Sequence, residues 1–471
     1  MAAETGLLNA VVTGIVTGSI VALGAIGLAL VYDIAEVPNF AHGDILTFGA
    51  FVALFVNKPD TVPGFDLLTT GGREVTTAGT GVLFVASALS VVGIVYHLGG
   101  LRALKGGWWS FDPPGAVGLG AHAFLAVVVG TLVVLGTPSF PGALLFAVVL
   151  TGAVVPVMES RVFRKFRAKD VSLAMMLVVS LAVAFILRFG IQTVFGGEIR
   201  HYDVESTVTV GGWTVDVAGA QFVDMSVGAS GLVLEIQRAG GEAARTLLVG
   251  YSWLELAAVL AAGTVVAVAG YRRRRDTAAV VGPYLAAALG ALAVFLLGTV
   301  LLGGASPPSA PVYETRVRLS PLRFAIVLIA LAMMALLHYL LRATTLGKAM
   351  RATSDNRDLA MVRGINTRRV MMTVWIIAGL FGAVAGVMLG FLFDNLTINL
   401  GFNLLLPMFA GAILGGISVY GAILGSYIVG LAMEVGIFAI PFVDTTYRIP
   451  VAFVVLLVVL LVKPEGITGG S

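Results

Sequence analysis

The stretch that decides the fold runs from Pro321 to Phe393: PLRFAIVLIALAMMALLHYLLRATTLGKAMRATSDNRDLAMVRGINTRRVMMTVWIIAGLFGAVAGVMLGFLF. Two apolar runs, 321 to 342 and 368 to 392, flank a polar island from Arg342 to Arg369. Each run is long enough to cross about 30 Å of hydrocarbon as a helix. Charge confined between two such runs marks a loop between membrane spans. Within the island, Asp355 is expected to cap a short helix reaching about Arg363, and Gly364 to supply its left-handed stop. Leu359, Ala360 and Val362 would give that helix one apolar side, offered to another protein.

The rest of the chain agrees. Hydrophobic residues make up 58% and charged residues 12%, and mean hydropathy is +0.99, whereas soluble domains are about a quarter charged. The expected fold is all-α, a polytopic transmembrane helical bundle, because the apolar runs are continuous rather than alternating as in a β-barrel. About thirteen hydrophobic spans are expected, some short or re-entrant. They lie at 7 to 31, 43 to 56, 80 to 98, 116 to 136, 142 to 158, 172 to 195 and 250 to 271, then at 278 to 303, 321 to 342, 368 to 392, 402 to 417, 420 to 440 and 447 to 463. The start, MAAETGLLNA, lacks a signal peptide's basic region and cleavage site, so the first span is expected to be retained.

Composition also removes several chemistries. Without cysteine there are no disulfides or thiolate metal sites. His42, His97, His122, His201 and His338 are scattered without ligand spacing, so no metal and no cofactor are expected. A net charge of +3 gives no reason to expect nucleic acid as a partner. Lys348 follows Gly347 as in a phosphate loop, but Arg342 stands where its first glycine belongs and Ala349 replaces the hydroxyl, so nucleotide is handled elsewhere.

Basic residues set the expected orientation. With the island cytoplasmic, thirteen spans place the N-terminus outside and the C-terminus inside. The inner segments then hold most of the 29 Lys and Arg, among them Arg102, Lys105, Arg161 to Lys169, Arg272 to Arg275, the island's own and Lys463. The run Arg272 to Arg275 reads as a topology anchor rather than a lipid-headgroup site. The largest outer segment, 196 to 249, contains STVTVGGWTVDV, whose alternation around Gly211 and Gly212 predicts an extracytoplasmic β-hairpin. Small residues recur at helix-contact spacing: Gly14 and Gly18; Gly382, Gly386 and Gly390; Gly411 and Gly415; Gly421 and Gly425.

Candidate translocation-path residues are the polar ones set among apolar runs. The turn Asn39-Phe40-Ala41-His42-Gly43-Asp44 either breaks a path-lining helix or is a tight capped turn, with Asp44 suited to the positive end of the helix dipole. Glu434 lies inside a span, where an isolated charge costs several kcal/mol. Asn399, in the polar segment 394 to 399, is placed at the outer mouth.

Four stretches together resemble the permease subunits of branched-chain amino acid ABC transporters, LivH type: Gly18 to Phe51 with its NFAHG turn, the basic loop Glu159 to Asp170, the island from Thr344 to Asn366, and Phe409 to Val435 with Tyr447 to Gly469. The resemblance implies one importer permease domain over 1–471, with 342–369 as the cytoplasmic loop that couples to the ATPase. Gly347, Ala352, Asp355, Ala360, Gly364 and Asn366 match that loop. Leu359, Ala360 and Val362 would enter a groove on the ATPase, with Arg357 and Arg363 at its rim. Implied partners are a second homologous permease, two cytoplasmic ATP-binding subunits, an extracytoplasmic solute-binding protein and membrane lipid, in a prokaryotic cell membrane. Segments 59–140 and 220–318 are read as insertions, each with an extra pair of spans. Pro407 stands where many relatives carry lysine. Branched-chain or related amino acids are the expected cargo, and no enzymatic activity is expected of this subunit. Urea or short amides are the alternative, and an ion-coupled secondary transporter or channel is the reading from another class.

Overall fold

In hydrocarbon a backbone N–H or C=O has to find its partner within its own segment, so each apolar run folds as a helix. The computed structural model describes residues 2–62, 69–70, 74–98, 116–135, 140–203, 207–210, 213–216, 221–238, 247–274, 313–439 and 447–462, with scattered positions between 287 and 301. Among the described residues, 8 helices are long and apolar enough to cross a membrane, and Ala41–Asn57, Gly120–Leu135, Leu400–Leu414 and Arg448–Val462 are shorter apolar helices. The protein is a multi-pass membrane protein. Every expected span meets a helix within a few residues except 278 to 303, most of which lies outside the described residues, as do Gly211, Gly212, Arg102, Lys105, Arg275 and Lys463.

The chain divides into two compact units, Met1–Val12 with Ser206–Ala325 and Thr13–Glu205 with Ile326–Ser471. In the smaller unit the expected hairpin forms: Thr207–Val210 pairs antiparallel with Trp213–Asp216, Val210 opposite Trp213. Sequence reading missed the larger sheet beside it in the chain, four antiparallel strands in the order Leu247–Ser252, Gly231–Arg238, Gln221–Gly228, Tyr313–Leu319. Its last strand pairs with Gln221–Gly228 in a register that sets Met225 opposite Thr315. The expected span pair of 220–318 is thus bracketed by strands of one sheet. Ser252 and Glu255 form a capping box at the start of helix Trp253–Arg274. Glu255 Oε2 accepts from the Ser252 N–H at 2.9 Å, and Ser252 Oγ accepts from the Glu255 N–H at 3.3 Å.

The larger unit is built around three helices: α1 (Ala2–Ala35, in this unit from Thr13), α2 (Ala41–Asn57) and α12 (Thr367–Phe393). The apolar windows of α1 and α12 are 94% and 83% buried, so protein rather than lipid surrounds them. Around α2 pack α12, α5 (Phe140–Met158), α7 (Leu173–Phe195) and α13 (Leu400–Leu414). Glycines allow the close crossings. A Cβ on Gly401 would stand 1.8 Å from the Gly43 carbonyl oxygen, and one on Gly386 would stand 2.0 Å from that of Leu46. Gly411 and Gly425 join α13 to α14 (Val419–Ala439) in the same way.

The segment Glu159 to Asp170, expected to be a loop, is mostly helix. A π turn over Glu159–Phe163 leads into a short helix, α6, over Arg164–Arg167. Pro156, inside α5, lacks the N–H that would bond one turn back, and the ladder changes register just after it.

Candidate functional site

The island contains two helices where sequence reading expected one. Thr344 caps α10 (Thr345–Asp355), its Oγ1 accepting from the Gly347 N–H at 3.0 Å. Asp355 is the last residue of that helix and caps nothing. The cap of α11 (Arg357–Val362) is Asn356, whose Oδ1 accepts from the Leu359 N–H at 2.9 Å. Both residue types cap well, and the chain's extended backbone at Asn356 decides between them. Gly364, at φ +81°, ends α11 as expected, with Ile365 N–H donating to the Ala360 carbonyl and Gly364 N–H to that of Met361. Asn366 then caps α12 through the Arg369 N–H.

Burial divides the expected apolar side. Ala360 is 3% exposed and faces its own chain, whereas Leu359, Met361 and Val362 are 56%, 48% and 83% exposed. Arg357 and Arg363 are exposed beside them. Ala360 is therefore covered within this chain, and Met361 is exposed beside Leu359 and Val362. Gly347 is also internal: a Cβ there would lie 2.3 Å from the Leu340 and Leu341 carbonyl oxygens, so it permits the tight turn out of α9 (Pro321–Ala343). The mount is firm. Ser354 Oγ bonds Asp33 Oδ1 at 3.0 Å, Glu159 pairs with Arg167 and feels the charges of Arg164 and Arg357, and Phe163 stacks on Trp375.

A second polar group lies where α1 turns into α2. Asn39, His42 and Asp44 are buried at 1%, 0% and 0% exposure. Asp44 is held by a partner that sequence reading missed: Arg188 of α7 donates from Nε to Oδ1 at 2.9 Å and from Nη2 to Oδ2 at 3.0 Å. The Arg188 guanidinium also lies 4.5 Å from the Phe402 ring centroid. The signal that could have found it is a lone arginine in an apolar run, FILRFG. The Asn39 amide and both His42 ring nitrogens have no well-formed hydrogen bond, and the ring lies against Gly27 and Gly382. Phe40 N–H donates to Ser180 Oγ at 3.2 Å, tying the turn to α7.

Glu434 stands apart from that group. It is 7% exposed, accepts from Thr17 Oγ1 at 3.2 Å and pairs with Arg448 Nη2 at 3.3 Å. Arg448 opens α15 (Arg448–Val462), and sequence reading missed it because its partner lies beyond a turn on another helix. Both line a cavity of about 230 Å³ whose wall is otherwise mostly aliphatic, with Asn403 and Pro407 from α13. Asn399, one turn before Asn403, is exposed at the start of α13 and is not on the cavity wall. The five candidate path residues thus fall into a buried trio, a cavity carboxylate and an exposed asparagine.

The ends of the bundle are distinct. Tyr420, at the start of α14, lies beneath Arg342 at the island's edge, so Glu434 sits about 21 Å farther along that helix at 1.5 Å per residue. The end away from the island is tied by Asn57 with the Asp203 backbone and by a bridge between Arg200 and Leu396.

The family model described as the permease component of the branched-chain amino acid transport system matches residues 10–97 and 214–462. The high-affinity branched-chain amino acid transport system permease protein LivH of Escherichia coli K12 is 38% identical over 140 residues, 30% of this chain and 44% of that protein. BraD, the corresponding permease protein of Pseudomonas aeruginosa, is 37% identical over 125 residues, 26% of this chain and 40% of the relative. The galactose/methyl galactoside import permease protein MglC of Haemophilus influenzae is 30% identical over 131 residues, 28% of this chain and 38% of the relative. These alignments span less than half the length of each relative. No solved structure matches the chain.

Proposed function

We propose that this chain, which belongs to the family of branched-chain amino acid transport system permease components, is the membrane-spanning subunit of an ATP-driven importer for branched-chain or related amino acids. One observation carries the reading: Leu359, Met361 and Val362 stand exposed on a short helix capped at both ends and fastened to the bundle. Apolar side chains on a polar island gain by being covered, and a rigid mount passes a push on them to the helices as a body. Two cytoplasmic ATP-binding subunits would cover this face and its copy on a second homologous permease, with Arg357 and Arg363 at the rim. An extracytoplasmic binding protein would deliver the solute at the other end.

The orientation follows from charge. Arg161, Arg164, Lys165, Arg167 and Lys169 precede α7 at the island's end, which supports a cytoplasmic island with the N-terminus outside and the C-terminus inside the cell membrane. The buried trio Asn39, His42 and Asp44 and the Glu434 cavity are the polar features assigned to the path.

The test is purification of the full-length chain from its native membrane and reconstitution of what accompanies it. Expected are ATP-binding subunits in the preparation and leucine uptake that needs ATP. Uptake that persists without them and follows an ion gradient would replace the importer reading with a secondary transporter.

A further inference from the structure

We infer that the cavity lined by the Glu434–Arg448 pair is a binding site for a zwitterionic aliphatic amino acid, the ligand taking over both halves of the ion pair. The inference deepens the importer reading and rests on it for the cargo. Three observations carry it. First, the cavity has the right size: about 230 Å³ holds roughly eight water-sized groups at about 30 Å³ each, against the nine non-hydrogen atoms of leucine. Second, its wall is divided by chemistry. Ile20, Leu389, Leu404 and Met433 offer aliphatic surface, and Thr17, Asn403, Glu434 and Arg448 gather the polar groups.

Third, the polar groups have capacity to spare. Arg448 Nε is buried without an acceptor, so the guanidinium presents more donors than Glu434 uses. Pro407 has no N–H, which leaves the carbonyl of Asn403, a cavity-lining residue, without its helical donor. An α-carboxylate would bond Arg448 and Thr17, and an α-ammonium would bond Glu434 and the Asn403 carbonyl. The exchange replaces one ion pair by two, so no charge is left buried without a partner. A ligand with one charge would strand one member of the original pair, which is strongly unfavourable. A neutral amide or urea would have no charge with which to part it. The site therefore selects for the zwitterion itself, with the aliphatic wall selecting for side chain.

The test uses photo-leucine, a diazirine analogue of leucine, on the full-length chain with its accompanying subunits in lipid nanodiscs. Irradiation is expected to label the wall near Leu389, Leu404 and Met433. Leucine should block the labelling, whereas 4-methylpentanoate and 3-methylbutylamine, each with one of leucine's charges, should barely compete. Arg448→Gln should weaken protection by leucine about tenfold or more and make the amine a competitor, because Glu434 then lacks the arginine charge that the ammonium would otherwise have to displace. Glu434→Gln should do the reverse and admit the acid. A fold defect would weaken all three competitors alike, so opposite changes in the two variants identify ligand contact. Labelling elsewhere, or one competitor order in both variants, overturns the inference. Intact ATP-driven leucine uptake with labelling elsewhere would leave the importer reading standing. Ion-pair-dependent labelling in a complex that imports no amino acid would overturn the importer reading and keep the site.

Discussion

Asp44 and Arg188, 144 positions apart in the chain, meet inside the bundle as a two-point ion pair with both carboxylate oxygens engaged. The pair joins α2 to α7, and the guanidinium's position over Phe402 adds α13. Breaking one half leaves a buried charge. Arg188→Gln or Asp44→Asn alone is expected to cost about 3–5 kcal/mol, while the double variant should recover much of that loss. Thermal unfolding of the four proteins in one detergent measures the coupling. Additive losses would show that the two side chains act independently.

The island sets a buried side chain, Ala360, and a fully presented one, Val362, within three residues. Val362→Asp alters a side chain that is 83% exposed and is expected to leave the melting temperature unchanged while abolishing stimulation of ATP hydrolysis. Ala360→Leu instead overpacks a buried position and should destabilise by about 1–3 kcal/mol. Measured together, melting temperature and ATPase activity in the reconstituted complex should move in opposite patterns for the two variants. Loss of stability in Val362→Asp would place that side chain inside the fold.

The helices were legible in the sequence because a membrane makes length and hydropathy sufficient to identify them. Gly364 was equally readable, since a left-handed residue after a short amphipathic helix leaves few alternatives. What escaped were relations between distant positions. The sheet needs Tyr313–Leu319 beside Gln221–Gly228 across an intervening helix, and the alternation of either strand names no partner. Arg188 and Arg448 were visible as charges near apolar runs, yet their carboxylates lie on other helices. Asp355 and Asn356 are both good cap residues, and only the backbone angle at Asn356 chooses between them. Ala360 is buried and Met361 exposed, an order that escaped because a six-residue helix has too few turns for periodicity to fix its inner face.

The crossing of α2 and α13 depends on Gly43 and Gly401. Thr47 Oγ1 accepts from the Gly401 N–H at 2.9 Å, which requires backbone at this distance. Gly401→Val would push a side chain into the Gly43 carbonyl, with no flexible neighbour to yield. Loss of the monodisperse peak in detergent size-exclusion chromatography is expected, whereas Gly81→Val, in open space, should behave as the parent. Equal behaviour of the two variants would show that the crossing can relax.

The turn between α13 and α14 holds Ile417 at φ +56°, behind Gly416 at φ +67°. Ile417 N–H donates to the Ala412 carbonyl at 2.8 Å and Gly416 N–H to that of Ile413 at 2.9 Å, so the last turn of α13 fixes the strained backbone. A Cβ in the left-handed region costs roughly 1–2 kcal/mol, and a β-branched residue there is an outlier. Replacing Ile417 itself would mix this strain with lost packing, so the informative comparison is Ile417→Ala against Ile417→Gly. Glycine is expected to be the more stable of the two by about 1 kcal/mol, because it removes the Cβ that the backbone angle penalises. Ala412→Gly, in the right-handed last turn of α13, should have the opposite sign and cost about 0.5–1 kcal/mol. Melting temperatures in detergent decide the matter: if alanine is the more stable at 417 as well, the turn is not left-handed in the folded protein.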